Sequence, residues 1–435
     1  DLVAFNWNPR RILLSELSKL VLMPAMYLKV QHSNRPPLNL RTVLHIARLR
    51  NDLQRACHGY FGGKIVWVKH HLAHAAAAYY LAPFDQADIL VCDGFGETEA
   101  TTCFRAKENR IERVWALSYL KSLGIVYSNF TRFFGFEAFQ EGNTMALASF
   151  GQAREYADLF NKIIRWTPDG LYSIHKKYLG WWYFIDGQLE AELGVPRKAA
   201  EPIEARHRNL AAALQSRVAE TVVRLIRNMA ADRRHSRNLC LGGGLFLNCS
   251  MNQSILESGA YESIFIPPFA SDCGGAAGAA LSAAFGAGRE SFTRGPDFFS
   301  PYTGPAYNDL EIKNALEAHA LPYVETESPA RAAAQLLFSN RIVGWFQGRL
   351  EAGPRALGNR SILANPMHAG IQDKINLEIK LRETFQPFAP VATVEDALNY
   401  FDLSAPLPLA ARYMLVKVKV KPAFRSILSG ITHVD

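Results

Sequence analysis

Three histidines head an alanine run in KHHLAHAAAAYY, residues 69–80. The segment follows the apolar run KIVWV, so the pattern predicts a strand, a short turn and a helix. Positions four apart share a helix face, so His70 and His74 project together while His71 points elsewhere. Two imidazoles on one face of a rigid helix can hold a divalent metal. The same pair would equally suit two hydrogen-bonded histidines packed under a sheet. In ILVCDGFGETEATT, Asp93 ends a buried run and Gly94, Gly96 and Glu97 follow. Glycines past a strand let the backbone approach a phosphate, and an acidic strand tip can bind a cation. Asp-Gly is also the commonest hairpin signal. LCLGGGLFLNCSMNQ repeats the theme with Gly242, Gly243 and Gly244. Such a turn needs either positive φ or close approach to a ligand. IPPFASDCGGAAGAAL sets Asp272 at a helix start, where it could cap the helix or serve as a ligand. Together His70, His74, Asp93 and Asp272 offer two nitrogens and two oxygens, a set suited to Fe(II), Mn(II) or Zn(II).

A second kind of chemistry is concentrated in GWFQGRLEAGPRALGNRSILANP, which carries Arg349, Arg355 and Arg360 among glycines and a proline. KLRETFQPFAP adds Lys380 and Arg382. Guanidinium forks match phosphate and carboxylate bidentately, so the loop reads as a cradle for a small oxyanion. Surface ion pairs with Glu351 and Glu383 are the ordinary alternative.

The elements that must position these groups are mixed α/β. KIVWVK, DILVCD, NLCLGG and SIFIPP read as strands, and a helix is expected from about Asn209 to Ala231. AAGAALSAAF is small enough to pack closely on a sheet. The stretch GAGRESFTRGPDFFSPYTGPAYND reads as an inter-domain connection, after which RIVGWFQG and SILANP look like strands of a smaller unit. At 435 residues, two domains are expected. The formal charge of +8 is modest, and the arginine-rich patches are too dispersed for a nucleic-acid stripe. No apolar run approaches the roughly 20 residues of a membrane span, and no signal peptide is recognisable. Six scattered cysteines fit a reducing cytoplasm.

In this order, HHLAHAAAAYY, DGFGE, GGGLFLN, SDCGGAAGAAL, QGRLEAGPRALGNRSILANP and RETFQPFAPV resemble the O-carbamoyltransferases of nodulation-factor, cephamycin and aminoglycoside biosynthesis. The likeness spans nearly the whole chain. It implies an α/β fold with a large actin-like ATPase (ASKHA) type domain over residues 1–299, similar to the tRNA threonylcarbamoyl-transfer proteins. Residues 300–435 would form a linker and a smaller α/β YrdC-like domain. The resemblance implies that carbamoyl phosphate and ATP, with Mg2+, react in the smaller domain to give carbamoyl adenylate. A metal in the large domain, usually iron, would then bind the adenylate while a small-molecule hydroxyl attacks the carbamoyl carbon.

By position, the resemblance puts His70, His74, Asp93 and Asp272 on the metal. It puts Gly94, Glu97, Gly242 to Gly244 and Asn248 on the nucleotide. Arg349, Arg355, Asn359, Arg360 and Lys380 fall on the carbamoyl phosphate or adenylate, with Arg355, Lys380 and Arg382 in catalytic roles. The sequence also departs from the family's pattern. An opening His-Asp-Ala-Ala-like segment, with a proposed catalytic histidine, and a closing Asn-Thr-Ser-Phe-Asn element are not in it, so parts of both domains are expected to lie outside. Asn143 stands where a lysine or another long polar residue is usual, and Gln386 where arginine is common. The alternatives are a tRNA-modifying threonylcarbamoyl transferase, which would need a basic surface, and an inactive scaffold of the same fold. A zinc peptidase fits poorly, because HHLAH lacks the glutamate of His-Glu-x-x-His. FGFEAFQ and YLGWWYFIDGQ could supply aromatic walls for the acceptor.

Overall fold

The strand, turn and helix expected around the histidines form as the pattern directs. β1 (Leu2–Phe5) pairs in parallel with β2 (Lys64–Trp67), and the chain turns into α1 (His70–Tyr80). Next comes β3 (Gln86–Gly96), whose residues from Ala87 to Asp93 are all buried. A strand covered on both faces reads as a continuous apolar run, which is what ADILVC provides. β4 (Glu99–Lys107) and β5 (Arg110–Ser118) extend the sheet antiparallel on one side. The helices α2 (Leu123–Phe133), α3 (Glu141–Ala148) and α4 (Ala205–Ala230) follow. On the other side β6 (Asn238–Gly242) joins β3 in parallel, and beyond α5 (Cys249–Glu257) the strand β7 (Ser263–Phe265) joins β6. The mixed sheet therefore runs β5-β4-β3-β6-β7. This computed structural model describes residues 2–8, 11–12, 40–175, 187–286, 292–294 and 299–433.

α6 (Gly275–Phe285) explains the alanines of α1. Ala73 and Ala75 to Ala78 are all buried. An ideal Cβ on Gly278 of α6 would sit 1.9 Å from the Ala73 carbonyl oxygen, so only glycine allows this approach. The helix expected from Asn209 begins four residues earlier, at Ala205. The reason is a cap: the Glu204 amide donates to Nδ1 of His207 at 3.0 Å, which secures an extra turn.

The expected connection is anchored where it is described. Phe292 packs against Tyr80 and Phe285, and Arg294 donates to the carbonyls of Tyr79 and Ala82 at 2.8 Å, capping the end of α1. Beyond it, β8 (Val343–Phe346) and β9 (Arg360–Leu363) form an antiparallel pair from the two segments read as strands. The flanking helices at 309–318 and 329–338 leave Leu310, Leu336 and Phe338 exposed. Ala410, Tyr413 and Leu415 are buried in the core built around the five-stranded sheet. No helix among the described residues is long and apolar enough to cross a membrane.

Candidate metal centre

Each of four side chains delivers one donor atom to a common point. His70 Nε2 lies 3.0 Å from Asp93 Oδ2, 3.2 Å from Asp272 Oδ1 and 3.0 Å from His74 Nε2. His74 Nε2 lies 3.4 Å from Asp93 Oδ2 and 3.3 Å from Asp272 Oδ1. All four donors fall within 4.8 Å of one another. An ion with bonds of about 2.0–2.2 Å holds neighbouring ligands roughly 3.0–3.5 Å apart, so the set fits a divalent metal.

Local structure explains why these atoms converge. His70 and His74 share one face of α1, while His71 turns away and pairs through Nδ1 with Thr102 Oγ1 at 2.7 Å. Asp93 sits where the β3–β4 register breaks, between Cys92 and Gly96. The Gly244 amide donates to its Oδ1 at 3.1 Å, which leaves Oδ2 toward the histidines. β3 runs on past Asp93-Gly94 to Gly96, so the hairpin turns at Glu97 and Thr98 rather than at Asp-Gly, and Asp93 lies within the strand at its irregularity. Asp272 sits in the turn before α6, and its carboxylate reaches the histidines. Gly96 is required here, since an ideal Cβ on it would lie 2.4 Å from His71 Cδ2 and 2.7 Å from His70 Cδ2.

The electrostatics suit a cation. Burial opposes a charge on His70, but hydrogen bonds and charges from Asp272 and Asp93 outweigh it and raise its pKa to about 10. His74 is raised for the same reason. Burial also works against a charged Asp93, yet the two histidines hold its carboxyl well below the usual range. His71, deeply buried and beside His70, is pushed down to about 3 and stays neutral. The two carboxylates thus favour a proton on the imidazole pair, one that a bound cation would displace.

The residues expected on a nucleotide have protein partners. Gly243 takes φ 99°, and an ideal Cβ there would lie 2.2 Å from the Cys92 carbonyl oxygen. On Gly242 it would lie 3.0 Å from the His74 carbonyl oxygen. The closeness these glycines permit is to β3 and α1. Gly94 lies against Gly124 of α2, and its carbonyl accepts from Ser122 Oγ at 2.6 Å. Asn248 caps α5 by accepting from the Met251 amide at 2.9 Å, and exchanges amide hydrogen bonds with Gln215. Glu97 is buried; its carboxylate accepts from the Asn8 amide at 2.7 Å and pairs with Arg11 Nε at 2.8 Å.

The basic loop is organised from inside. Glu351 is buried, and its Oε1 accepts from the amides of Leu357, Asn359 and Arg360 at 2.7, 2.8 and 3.1 Å. The amide cradle therefore holds a carboxylate of its own chain. Arg349 donates to the carbonyls of Gly304 and Thr303, and the Asn359 amide group to the Arg349 carbonyl. Arg355 Nη2 reaches the Leu247 carbonyl at 3.3 Å, while its buried Nε has no hydrogen-bond partner among the described residues. Arg360 Nε stands 3.8 Å from Glu351 Oε2. Arg382 binds Asn376 Oδ1 at 2.6 Å and stacks on Phe388. Lys380 is exposed. The four arginines take four different sets of partners. Of the ion pairs weighed from sequence, the one with Glu351 forms.

Asn143 and Gln386, the two departures from the resemblance, meet: Gln386 Nε2 donates to Asn143 Oδ1. Beside them Phe385 packs between Phe136 and Phe150. Of the expected aromatic walls, Phe134 and Phe136 are core residues, only Phe139 is fully exposed, and most of YLGWWYFIDGQ lies outside the described residues. No motif or periodicity marked Trp7, whose ring lies 4.4 Å from that of His70. Nor did it mark Glu351 as an internal ligand, although an acidic residue ahead of a Gly-Pro turn is the available signal.

Residues 24–281 match the family described as Carbamoyltransferase N-terminus, and residues 334–435 match Carbamoyltransferase C-terminus. The chain is 36% identical over 403 residues to an uncharacterized protein of Synechocystis sp., covering 85% of this chain and 65% of that one. It is 34% identical over 374 residues to nodulation protein NolO of Bradyrhizobium diazoefficiens, covering 85% of this chain and 66% of the relative. The chain thus spans just under two thirds of these relatives. The crystal structure of T. kodakarensis HypF is similar over 54% of this chain and 38% of that one, at 16% identity and a TM-score of 0.29, too slight a likeness to carry an argument.

Proposed function

Because the chain belongs to the carbamoyltransferase family, we propose that it serves the ATP-dependent transfer of a carbamoyl group from carbamoyl phosphate, by way of carbamoyl adenylate, to a hydroxyl of a small natural product or sugar. The observation that carries this reading is the four-donor cluster of His70, His74, Asp93 and Asp272. A divalent ion held there, Fe(II) by resemblance, would supply Lewis-acid polarisation and orientation of the carbamoyl donor. The chain's own residues fix that point: the Gly244 amide orients Asp93, and Ala73 and Gly278 lock α1 against α6. In the transfer step the acceptor oxygen forms a bond to the carbamoyl carbon as the bond to the adenylate phosphate oxygen breaks. AMP leaves with the electron pair, and the hydroxyl proton goes to a base.

Adenylate formation, with Mg2+ and ATP, belongs in this reading to residues 300–435 as a YrdC-like domain, and transfer to residues 1–299 as an actin-like ATPase (ASKHA) type domain. Three antiparallel strands continued by two parallel ones support the second assignment. Arg360 and Lys380, both exposed, are the cations placed to meet an incoming anion. The six cysteines form no disulfide among the described residues, which supports a reducing cytoplasm, and the acceptor is a small molecule rather than nucleic acid or membrane.

The test is carbamoyl-phosphate-dependent exchange of pyrophosphate into ATP, followed by mass spectrometry of a panel of hydroxylated metabolites for the gain of one carbamoyl group. Arg355→Ala is expected to abolish the exchange. Undiminished exchange in that variant would move the donor site elsewhere, and no exchange in the unsubstituted chain would end the reading.

A further inference from the structure

The histidine pair has a roof that the transfer reading leaves without a task. It is built from the segment just past β1. Phe5 is in register with Trp67 of β2. Asn6 then presses on α6 at Gly275, where an ideal Cβ would meet Asn6 Nδ2 at 2.1 Å. On the far side of Trp7, the Asn8 amide donates to the buried Glu97 carboxylate, which Arg11 holds in turn. Trp7 is therefore fixed from both sides. Its ring lies 4.4 Å from that of His70 and 6.1 Å from that of Phe95. Trp7 and Phe95 are both half-buried, and across the cluster the Asp272 side chain is 62% exposed. The mouth of the cluster thus has aromatic surface on one side and a carboxylate on the other.

We propose that Trp7, with Phe95 beside it, is the platform on which the acceptor lies, and that it selects a cyclic, hydroxylated acceptor such as a sugar ring over an open-chain alcohol. The inference rests on the carbamoyl-transfer reading for the word acceptor, and on geometry alone for the binding surface. A tryptophan face gives a ring a broad, rigid apolar seat at little entropic cost, while the hydroxyls at the ring's edge keep their polar partners. An open chain must lose rotational freedom to cover the same area, so the platform discriminates by shape.

The experiment titrates the metal-loaded full chain with two probes, methyl glucoside and sorbitol, by saturation-transfer NMR and calorimetry. Methyl glucoside is expected to bind through its ring hydrogens and sorbitol to bind more weakly. Trp7→Ala is expected to weaken glucoside binding by roughly tenfold, the effect of losing one aromatic anchor, with Trp7→Phe in between and metal content unchanged in both. Equal binding of the two probes, no glucoside binding, or unchanged affinity in Trp7→Ala would overturn the platform. Loss of metal from Trp7→Ala would also overturn it, since Trp7 would then be a support for His70. Pyrophosphate exchange, measured on the unsubstituted chain, decides the transfer reading separately.

Discussion

Two groups of charged side chains in this molecule are arranged in opposite ways. Around α1, two imidazoles and two carboxylates from three distant segments converge to within one coordination sphere. In the second region Arg349, Arg355, Arg360, Lys380 and Arg382 do not converge on one point, and what converges is backbone: three amides on Glu351. The difference lies in the supports. His70, His74 and Asp93 stand on a helix and a strand clamped in a core so close that Gly243 and Gly278 have no room for a methyl group. The second region rests on a two-stranded sheet and helices with exposed leucines. A rigid core can hold like charges together until a ligand arrives. An open loop first needs its own counter-charge to take shape, and Glu351 supplies it.

The sharpest break of that comparison is His70→Ala with His74→Ala. Removing two of four ligands should cost more than the roughly 10- to 100-fold in metal affinity seen for outer partners. Metal content by mass spectrometry is expected to fall from about one ion per chain to none, in keeping with the one four-donor site among the described residues. Near-stoichiometric metal in the double variant would place the ion elsewhere.

Proton competition comes next. With His70 raised to about 10 and His74 also raised, a proton on His70 must leave before a metal can take its place at neutral pH. Metal affinity should therefore rise with pH, by about tenfold per unit for each proton displaced. Calorimetry in buffers of different ionisation heat checks this, and a flat affinity between about pH 6 and 9 would remove protons from the account. The signs for stability of the metal-free chain oppose one another. The His70 contribution is complete below its ordinary 6.5 and is lost as pH rises toward 10. The His71 contribution, with a pKa lowered to about 3, is present above 6.5 and lost as pH falls from 6.5 toward 3. Stability should be greatest between those limits.

The same contrast explains what could be read from the letters alone. The histidine helix, the strand before it and the opposite facing of His71 follow from periodicity, because a helix fixes which residues are neighbours. The convergence of Asp93 and Asp272 was open to inference because both end apolar runs that lead into glycine. The partners of the glycine triplet were not legible. A turn that approaches a ligand and a turn that approaches Cys92 demand the same residue. Glu351 and Trp7 were hidden for another reason. One acts on backbone amides, which carry no residue identity, and the other lies 63 positions from His70, with no periodic pattern linking them.

Within the second region, Glu351→Ala should cost about 1–3 kcal/mol, because three amides lose a buried acceptor. Glu351→Gln keeps an oxygen in place and should cost less. Hydrogen exchange at residues 357–360 reads this directly; unchanged protection in the alanine variant would mean that the loop is shaped by something other than its internal carboxylate.

The smallest expected effect is the most discriminating. The Arg360 side chain is 47% exposed, and its 3.8 Å pair with Glu351 is worth about 0–1 kcal/mol. Glu351 already has its three amides, so the guanidinium adds little to the fold. Arg360→Ala should therefore leave the melting midpoint almost unmoved, while Arg349→Ala, which strips hydrogen bonds from two carbonyls, should lower it more. A cation the fold does not need can bind a transient anion without a structural penalty on release. Arg360→Ala is accordingly expected to raise the carbamoyl phosphate concentration needed for half-maximal pyrophosphate exchange at nearly constant stability. A loss of stability as large as that of Glu351→Ala would show instead that Arg360 braces the loop, and the contrast between a scattered, ligand-ready set of cations and a clamped metal cluster would no longer hold.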